Sequence, residues 1–237
     1  AQLPAVETAT PARTVVHKFG GTSVADAERY RHVAQLLLAR EEALQVTVVS
    51  AMKGVTDALI ELARMAGAEA GAGQGGADWR ERWHALRARH RGAAVALLGE
   101  HAGPTVEWLD QRFEELAQLL SALGVIGGLP AEVLERVQGL GEVCSAQLLG
   151  EHLRALGQDC AVLDAREVLV VGHGELGVDV DWARSAQRLA HWRQAHPQAR
   201  VVATGFVARD GQDRITTLGR NGSDYSGAIF AALFGAD

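Results

Sequence analysis

The sequence predicts an α/β fold of three layers, an αβα sandwich with helices on both faces of a mostly parallel sheet. Three observations carry that expectation. Short β-branched runs alternate with longer stretches of helical periodicity along most of the 237 residues, the order that builds parallel sheets from strand–helix units. Several apolar runs are short and continuous, as in strands buried on both faces. Hydrophobic residues make up 48% of the chain, enough for a substantial core, in one domain or two small ones.

Residues 1–13 read as a flexible polar leader, since they lack the basic start and apolar centre of a secretory signal. Residues 14–237 read as the folded unit. Thr14 to Phe19 is the first strand. Asp26 to Arg40 follows as a helix with Tyr30, Val33, Ala34 and Leu37 on one face. Val46 to Val49 is the second strand, and Thr56 to Met65 is helical. Residues 67–76 are a glycine-rich connector. A helical block then runs over 78–156, with breaks near Gly103-Pro104, Gly127-Gly128 and Gly139. Ala161 to Leu163 and Val168 to Val171 are short strands. Asp181 to His196 is amphipathic, offering Trp182, Leu189 and Trp192 to the core. Arg200 to Phe206 is predicted to pair with Arg214 to Leu218 as a hairpin across the turn at Arg209-Asp210-Gly211-Gln212. Ser223 to Phe234 is the closing helix. No internal repeat is visible.

Composition narrows the function. A net charge of −6 argues against a general nucleic-acid or acidic-membrane partner. Arg80, Arg82, Arg87, Arg89 and Arg91 do run basic beside Trp79 and Trp83, which suits an RNA-binding arm. The plainer reading is the solvated face of a helix, because Trp79, Trp83, Leu86, His90, Ala93 and Leu97 recur at helical spacing between them. The nine histidines make no HxxxH or HxH pair, so no protein-only metal site is expected. Cys144 and Cys160 have no metal or redox spacing, and a reducing cytoplasm is the simpler setting. No apolar run approaches the ~20 residues that span a bilayer.

Of 23 cationic residues only two are lysines, Lys18 and Lys53, each in a glycine-bearing stretch after an apolar run. Lysine is a compact point charge, arginine a planar fork. In Lys18-Phe19-Gly20-Gly21-Thr22-Ser23 the glycines let a ligand approach the backbone, and Thr22 and Ser23 add hydroxyls. This suits a phosphate chain whose charge Lys18 neutralises during transfer, although it is neither a P-loop nor GxGxxG. The bland alternative is a strand–helix turn with Ser23 as N-cap. A second polar loop, Gly219-Arg220-Asn221-Gly222-Ser223-Asp224, also leads into a helix N-terminus. Arg220 can grip a carboxylate with two parallel bonds. Asp224 either complements the helix dipole or holds a catalytic lysine. Glu142, in Gly139-Leu140-Gly141-Glu142, can bind an ammonium; by composition alone it is an ordinary surface glutamate.

These residues resemble aspartate kinase, a member of the amino-acid kinase superfamily. The resemblance rests on Lys18-Phe19-Gly20-Gly21-Thr22-Ser23-Val24 and Gly219-Arg220-Asn221-Gly222-Ser223-Asp224-Tyr225, and runs from about Val15 to the end. Val49-Ser50-Ala51, Gly54-Val55-Thr56, Gly141-Glu142, Asp164-Ala165-Arg166 and Thr204-Gly205-Phe206 agree with it. Asn221 is most like kinases fused to homoserine dehydrogenase. The resemblance implies the carbamate kinase-like fold and phosphorylation of the β-carboxylate of L-aspartate by ATP with Mg2+, the first step toward lysine, threonine and methionine. It also implies a homo-oligomer when full length. Lys18 would stabilise the phosphoryl group, with Gly20, Gly21, Thr22 and Ser23 on the phosphate side. Ser50 and Thr56 would touch aspartate, Glu142 would hold its ammonium and Arg220 a carboxylate. Ser223 would frame the site and Asp224 would orient Lys18. Lys53 receives no family role.

The family's nucleotide segment, resembling Trp-Thr-Asp-Val-x-Gly-x-Tyr, is not found. The expectation is therefore a fold incomplete at its C-terminal end, one that keeps the amino-acid half of the site and is inactive alone. Two other functions remain: a kinase for a related substrate such as glutamate, and a non-catalytic amino-acid-binding module.

Overall fold

The computed structural model describes residues 13–68, 78–174, 177–219 and 222–236. Its first sheet is fully parallel, in the order β1 (Thr14–Phe19), β2 (Leu44–Val49), β6 (Arg200–Thr204) and β3 (Cys160–Leu163). Its second sheet is mixed, in the order β5 (Gly177–Val180), β4 (Val170–Gly174), β7 (Val207–Asp210) and β8 (Ile215–Thr217).

Two apolar cores lie on opposite faces of the parallel sheet. Val49 and Val202 join one, with helices α1 (Ala27–Leu38), α2 (Val55–Ala68), α3 (Trp79–Leu98), α4 (Gly103–Ile126) and α6 (Leu140–Ala155). Val46, Val48, Val201 and Ala203 join the other, with α7 (Ala165–Val168), α8 (Trp182–Ala195) and α9 (Gly222–Phe234). Alternate strand residues thus face alternate cores, as a pleated strand buried on both faces requires. Helix α5 (Ala131–Gln138) bridges α2 and β8.

The helical block divides where the sequence places its breaks. Helix α3 ends at Gly99, a 3-10 turn spans Gly99–His101, and α4 starts with proline in its first turn. Gly127 closes α4 in the left-handed conformation that glycine adopts without a Cβ penalty. The connector was expected over 67–76, but Gly67 and Ala68 belong to α2; residues 69–77 lie outside the described residues.

Three expectations need correction. Arg200 to Phe206 does not form the hairpin. The strand β6 stops at Thr204, the chain turns at Gly205-Phe206, and the hairpin forms between β7 and β8 in the other sheet. Phe206 takes a left-handed φ of 68°, and its N–H donates to Ser226 Oγ at 2.8 Å, which fixes the corner. Val168 belongs to a helical turn capped by Asp164, so β4 begins only at Val170. Trp182 is exposed, and α8 uses Ser185, Leu189 and Trp192 for its buried face. Among the described residues no helix is long and apolar enough to cross a membrane.

Candidate active site

The register of the parallel sheet aligns the ends of three strands. Phe19 pairs with Val49, and Val49 with Thr204. The segments that follow, 20–26, 50–54 and 205–206, therefore leave one carboxyl edge together, where ligands bind in parallel α/β sheets. Ser50 N–H donates to Phe19 O at 3.1 Å and Gly205 N–H to Val49 O at 2.9 Å, extending the ladder into the loops.

The first two loops touch directly. Lys53 N–H donates to Gly21 O at 3.1 Å. A Cβ on Gly21 would sit 2.9 Å from Ala51 O, so any side chain here would drive the loops apart. Ser23 does not cap the helix. Its N–H donates to Gly20 O at 2.9 Å within the turn, and α1 begins later, capped by Asp26 through Arg29 N–H at 2.9 Å.

Helix α9 brings the far end of the sequence to this edge, packing on β1 and β2. Asp224 lies in its first turn, and Asp224 Oδ1 is 2.5 Å from Lys18 Nζ. The ammonium is 26% exposed and the carboxylate 68% exposed, so solvent reaches both. Gly227, one turn on, leaves room for the lysine stem, 3.3 Å from where its Cβ would lie.

A cavity of about 280 Å3 opens at the same edge, lined by Ser223, the residue before Asp224, but by neither member of the pair. Gly21, Ser50, Thr56, Glu142, Gly222 and Ser223 line it, together with Lys53, Gly54, Asp57, Phe206 and Gly219. Glu142 is no surface residue: it sits in the first turn of α6 and is 3% exposed. Close packing brings it there, since a Cβ on Gly141 would lie only 2.6 Å from Ala51 Cβ. Backbone N–H groups of Ala51 and of Glu142 itself bond its carboxyl, yet burial dominates and pushes its pKa up to about 8. Its Oε2 is buried with no hydrogen-bond partner. A buried, unpaired carboxylate oxygen facing polar side chains suits an incoming cation such as an ammonium group.

Of the residues expected in the site, Gly21, Ser50, Thr56, Glu142 and Ser223 share the cavity, and Lys18 and Asp224 form the adjoining ion pair. Thr22 is exposed and Ser23 half-buried; neither lines the cavity, and neither does Gly20. Arg220 and Asn221 lie outside the described residues. The sequence reading did not anticipate Asp57 or the backbone of Ala51. Ala51 stands in the Val49-Ser50-Ala51 run that carries the resemblance, but no role for its main chain follows from that run. A larger cavity, about 850 Å3, lies along α4, α5 and α6, but none of the expected site residues line it. Among the described residues no group of His, Cys, Asp or Glu is placed to hold a metal ion.

The profile of the amino acid kinase family matches residues 13–237. The chain belongs to that family. Among its relatives is bifunctional aspartokinase/homoserine dehydrogenase 1 of Arabidopsis thaliana, a chloroplastic protein, 36% identical over 221 residues; the match covers 92% of this chain and 24% of that protein. Bifunctional aspartokinase/homoserine dehydrogenase 2 of Escherichia coli is 33% identical over 225 residues, covering 93% and 26%. Escherichia coli aspartokinase III in complex with lysine and aspartate superposes with a TM-score of 0.80 at 27% identity, covering 94% of this chain and 47% of that one. The same enzyme in complex with aspartate and ADP gives 0.79 at 28%, with the same coverage. This amino acid kinase chain therefore spans about a quarter of the bifunctional relatives and about half of aspartokinase III. The family match and the superpositions agree with the α/β layers and the parallel sheet read from the sequence.

Proposed function

We propose that this chain carries the amino-acid-binding part of an aspartate kinase, which transfers the γ-phosphoryl group of ATP to the β-carboxylate of L-aspartate. The observation that carries the reading is Glu142: a buried carboxylate with an unpaired oxygen, in a cavity that also holds Ser50 and Thr56 beside the Lys18–Asp224 pair. The substrate ammonium pairs with Glu142, and the hydroxyls of Ser50 and Thr56 orient the dicarboxylate, with Ser223 behind it. Arg220 supplies the grip on a carboxylate that the family resemblance assigns to it.

Gly20, Gly21, Thr22 and Ser23 form the phosphate side. A β-carboxylate oxygen attacks the γ-phosphorus, the bond to the bridging oxygen breaks, and ADP leaves with 4-phospho-L-aspartate as product. Lys18 lies where its charge offsets the negative charge on the transferring group, and Asp224 holds the ammonium in place. Mg2+ would travel with the nucleotide and neutralise its phosphates. The relatives named for aspartokinase activity, and the solved complexes of aspartokinase III with aspartate and ADP, support this reading.

The test incubates the full-length protein with ATP and L-aspartate and traps the acyl phosphate as its hydroxamate. Aspartate should give product, and its deaminated analogue should not. Preference for L-glutamate would move the assignment to a related kinase. Aspartate binding with no hydroxamate would make the protein a binding module.

A further inference from the structure

The basic run of α3 is not one uniform charged face. Arg80 pairs with Asp78, Arg82 with Glu61, and Arg87 and Arg91 both with Asp110. Arg89 differs. Its Nη1 donates to Lys53 O at 3.0 Å and its Nη2 to Ala25 O at 3.0 Å. These carbonyls belong to the two loops that meet at the Gly21–Lys53 bond. Arg89 does not line the substrate cavity, so it touches the loops without touching what they enclose.

We propose that Arg89 is a positioning residue, whose single guanidinium straps together the phosphate-side loop and the loop that presents Ser50 and leads into the helix of Thr56. The fork matters. Two coplanar nitrogens reach two carbonyls on separate loops at once, whereas one ammonium cannot match both directions. The strap fixes the distance between the two substrates' halves of the site, and transfer depends steeply on that distance.

A second link supports the same frame. Tyr30 Oη and Ser145 Oγ lie 2.7 Å apart in the core, joining α1, which follows the first loop, to α6, which carries Glu142. With that inner link in place, the outer strap is left to set loop against loop. Its loss should misalign the site without unfolding it.

The activity arm of the test rests on the aspartate kinase reading; the exchange arm does not. In the full-length protein, R89A is compared with R82A, a control on the same helix whose partner Glu61 belongs to α2 and to neither loop. R89A should lower kcat by on the order of ten- to a hundredfold while the aspartate KM moves by less than about threefold. Added guanidinium ion should restore part of the kcat of R89A and leave R82A unaffected, which loss of folded protein would not mimic. R89K should recover less than guanidinium does. Hydrogen exchange should quicken at the amides of residues 21–25 and 51–54 in R89A and not in R82A. Parent-like kcat in R89A, a loss that guanidinium leaves untouched, or unchanged exchange in both loops overturns the proposal. If the parent itself makes no hydroxamate, the kinase reading falls, and the exchange data alone decide whether the strap exists.

Discussion

Lys18 Nζ and Asp224 Oδ1 lie 2.5 Å apart, joining the end of strand β1 to the first turn of helix α9. The pair closes only because α9 packs back on β1. It is open to solvent on the aspartate side. Exposed pairs of this kind add little stability, about 0–1 kcal/mol. Its geometry is better explained by what the ammonium does than by what the pair holds together.

Lys18→Arg tests that role. A planar fork displaces the charge from the point where Asp224 holds it. Turnover should fall by on the order of a hundredfold, while aspartate affinity changes little. Steady-state kinetics with ATP and aspartate measures both; a raised aspartate KM with parent turnover would remove Lys18 from the phosphoryl step.

Asp224→Asn keeps the shape and removes the charge. Because the carboxylate is exposed, urea unfolding should shift by no more than ~1 kcal/mol. Turnover should drop at least about tenfold as Lys18 loses its anchor. A large stability loss with normal turnover would make the pair structural.

The strand β1 was legible to the residue, because it opens on three β-branched residues, Thr14, Val15 and Val16, and stops just before Gly20. The residues of the ion pair were legible as candidates, since Lys18 stands just before a Gly-Gly turn and Asp224 just after a polar loop, at a helix start. The hairpin was misassigned because the switch between sheets depends on Phe206 at φ 68°, a conformation that phenylalanine gives no reason to expect. The burial of Glu142 was not legible at all. It arises when the first turn of α6 packs on Ala51 in the segment 50–54, a contact between residues far apart in sequence. Arg89 was read as part of a charged face, since nothing local distinguishes it from Arg87 or Arg91; its partners are main-chain carbonyls from other parts of the chain.

Gly141→Ala probes that contact. The added methyl would meet Ala51 Cβ at 2.6 Å and Val55 Cγ1 at 2.9 Å. Overpacking of this kind costs roughly 1–3 kcal/mol, and relief requires α6 to move away from Ala51 and Val55. Glu142 moves with it and loses the Ala51 N–H. The aspartate KM should rise more than kcat falls. A variant with parent stability and parent KM would show that the contact yields without displacing Glu142.

Glu142→Gln separates stability from binding through pH. The native carboxyl titrates near 8, against an ordinary value of 4.5. Between these values the native state holds a proton that the unfolded state has released, so the parent should lose stability as pH rises through that window. Glutamine has no charge to bury. The variant's advantage should be small at pH 4.5 and grow to at most a few kcal/mol near pH 8, on the order of 1.4 per unit of pKa shift. Urea midpoints of both proteins from pH 5 to 8 measure it. Aspartate binding should change in the opposite sense. The substrate ammonium needs the ionised carboxylate, so the parent must shed a proton to bind below pH 8, and its affinity should rise with pH up to that point. The variant should bind weakly at every pH, with no such slope. An affinity profile shared by parent and variant would mean that Glu142 does not meet the ammonium.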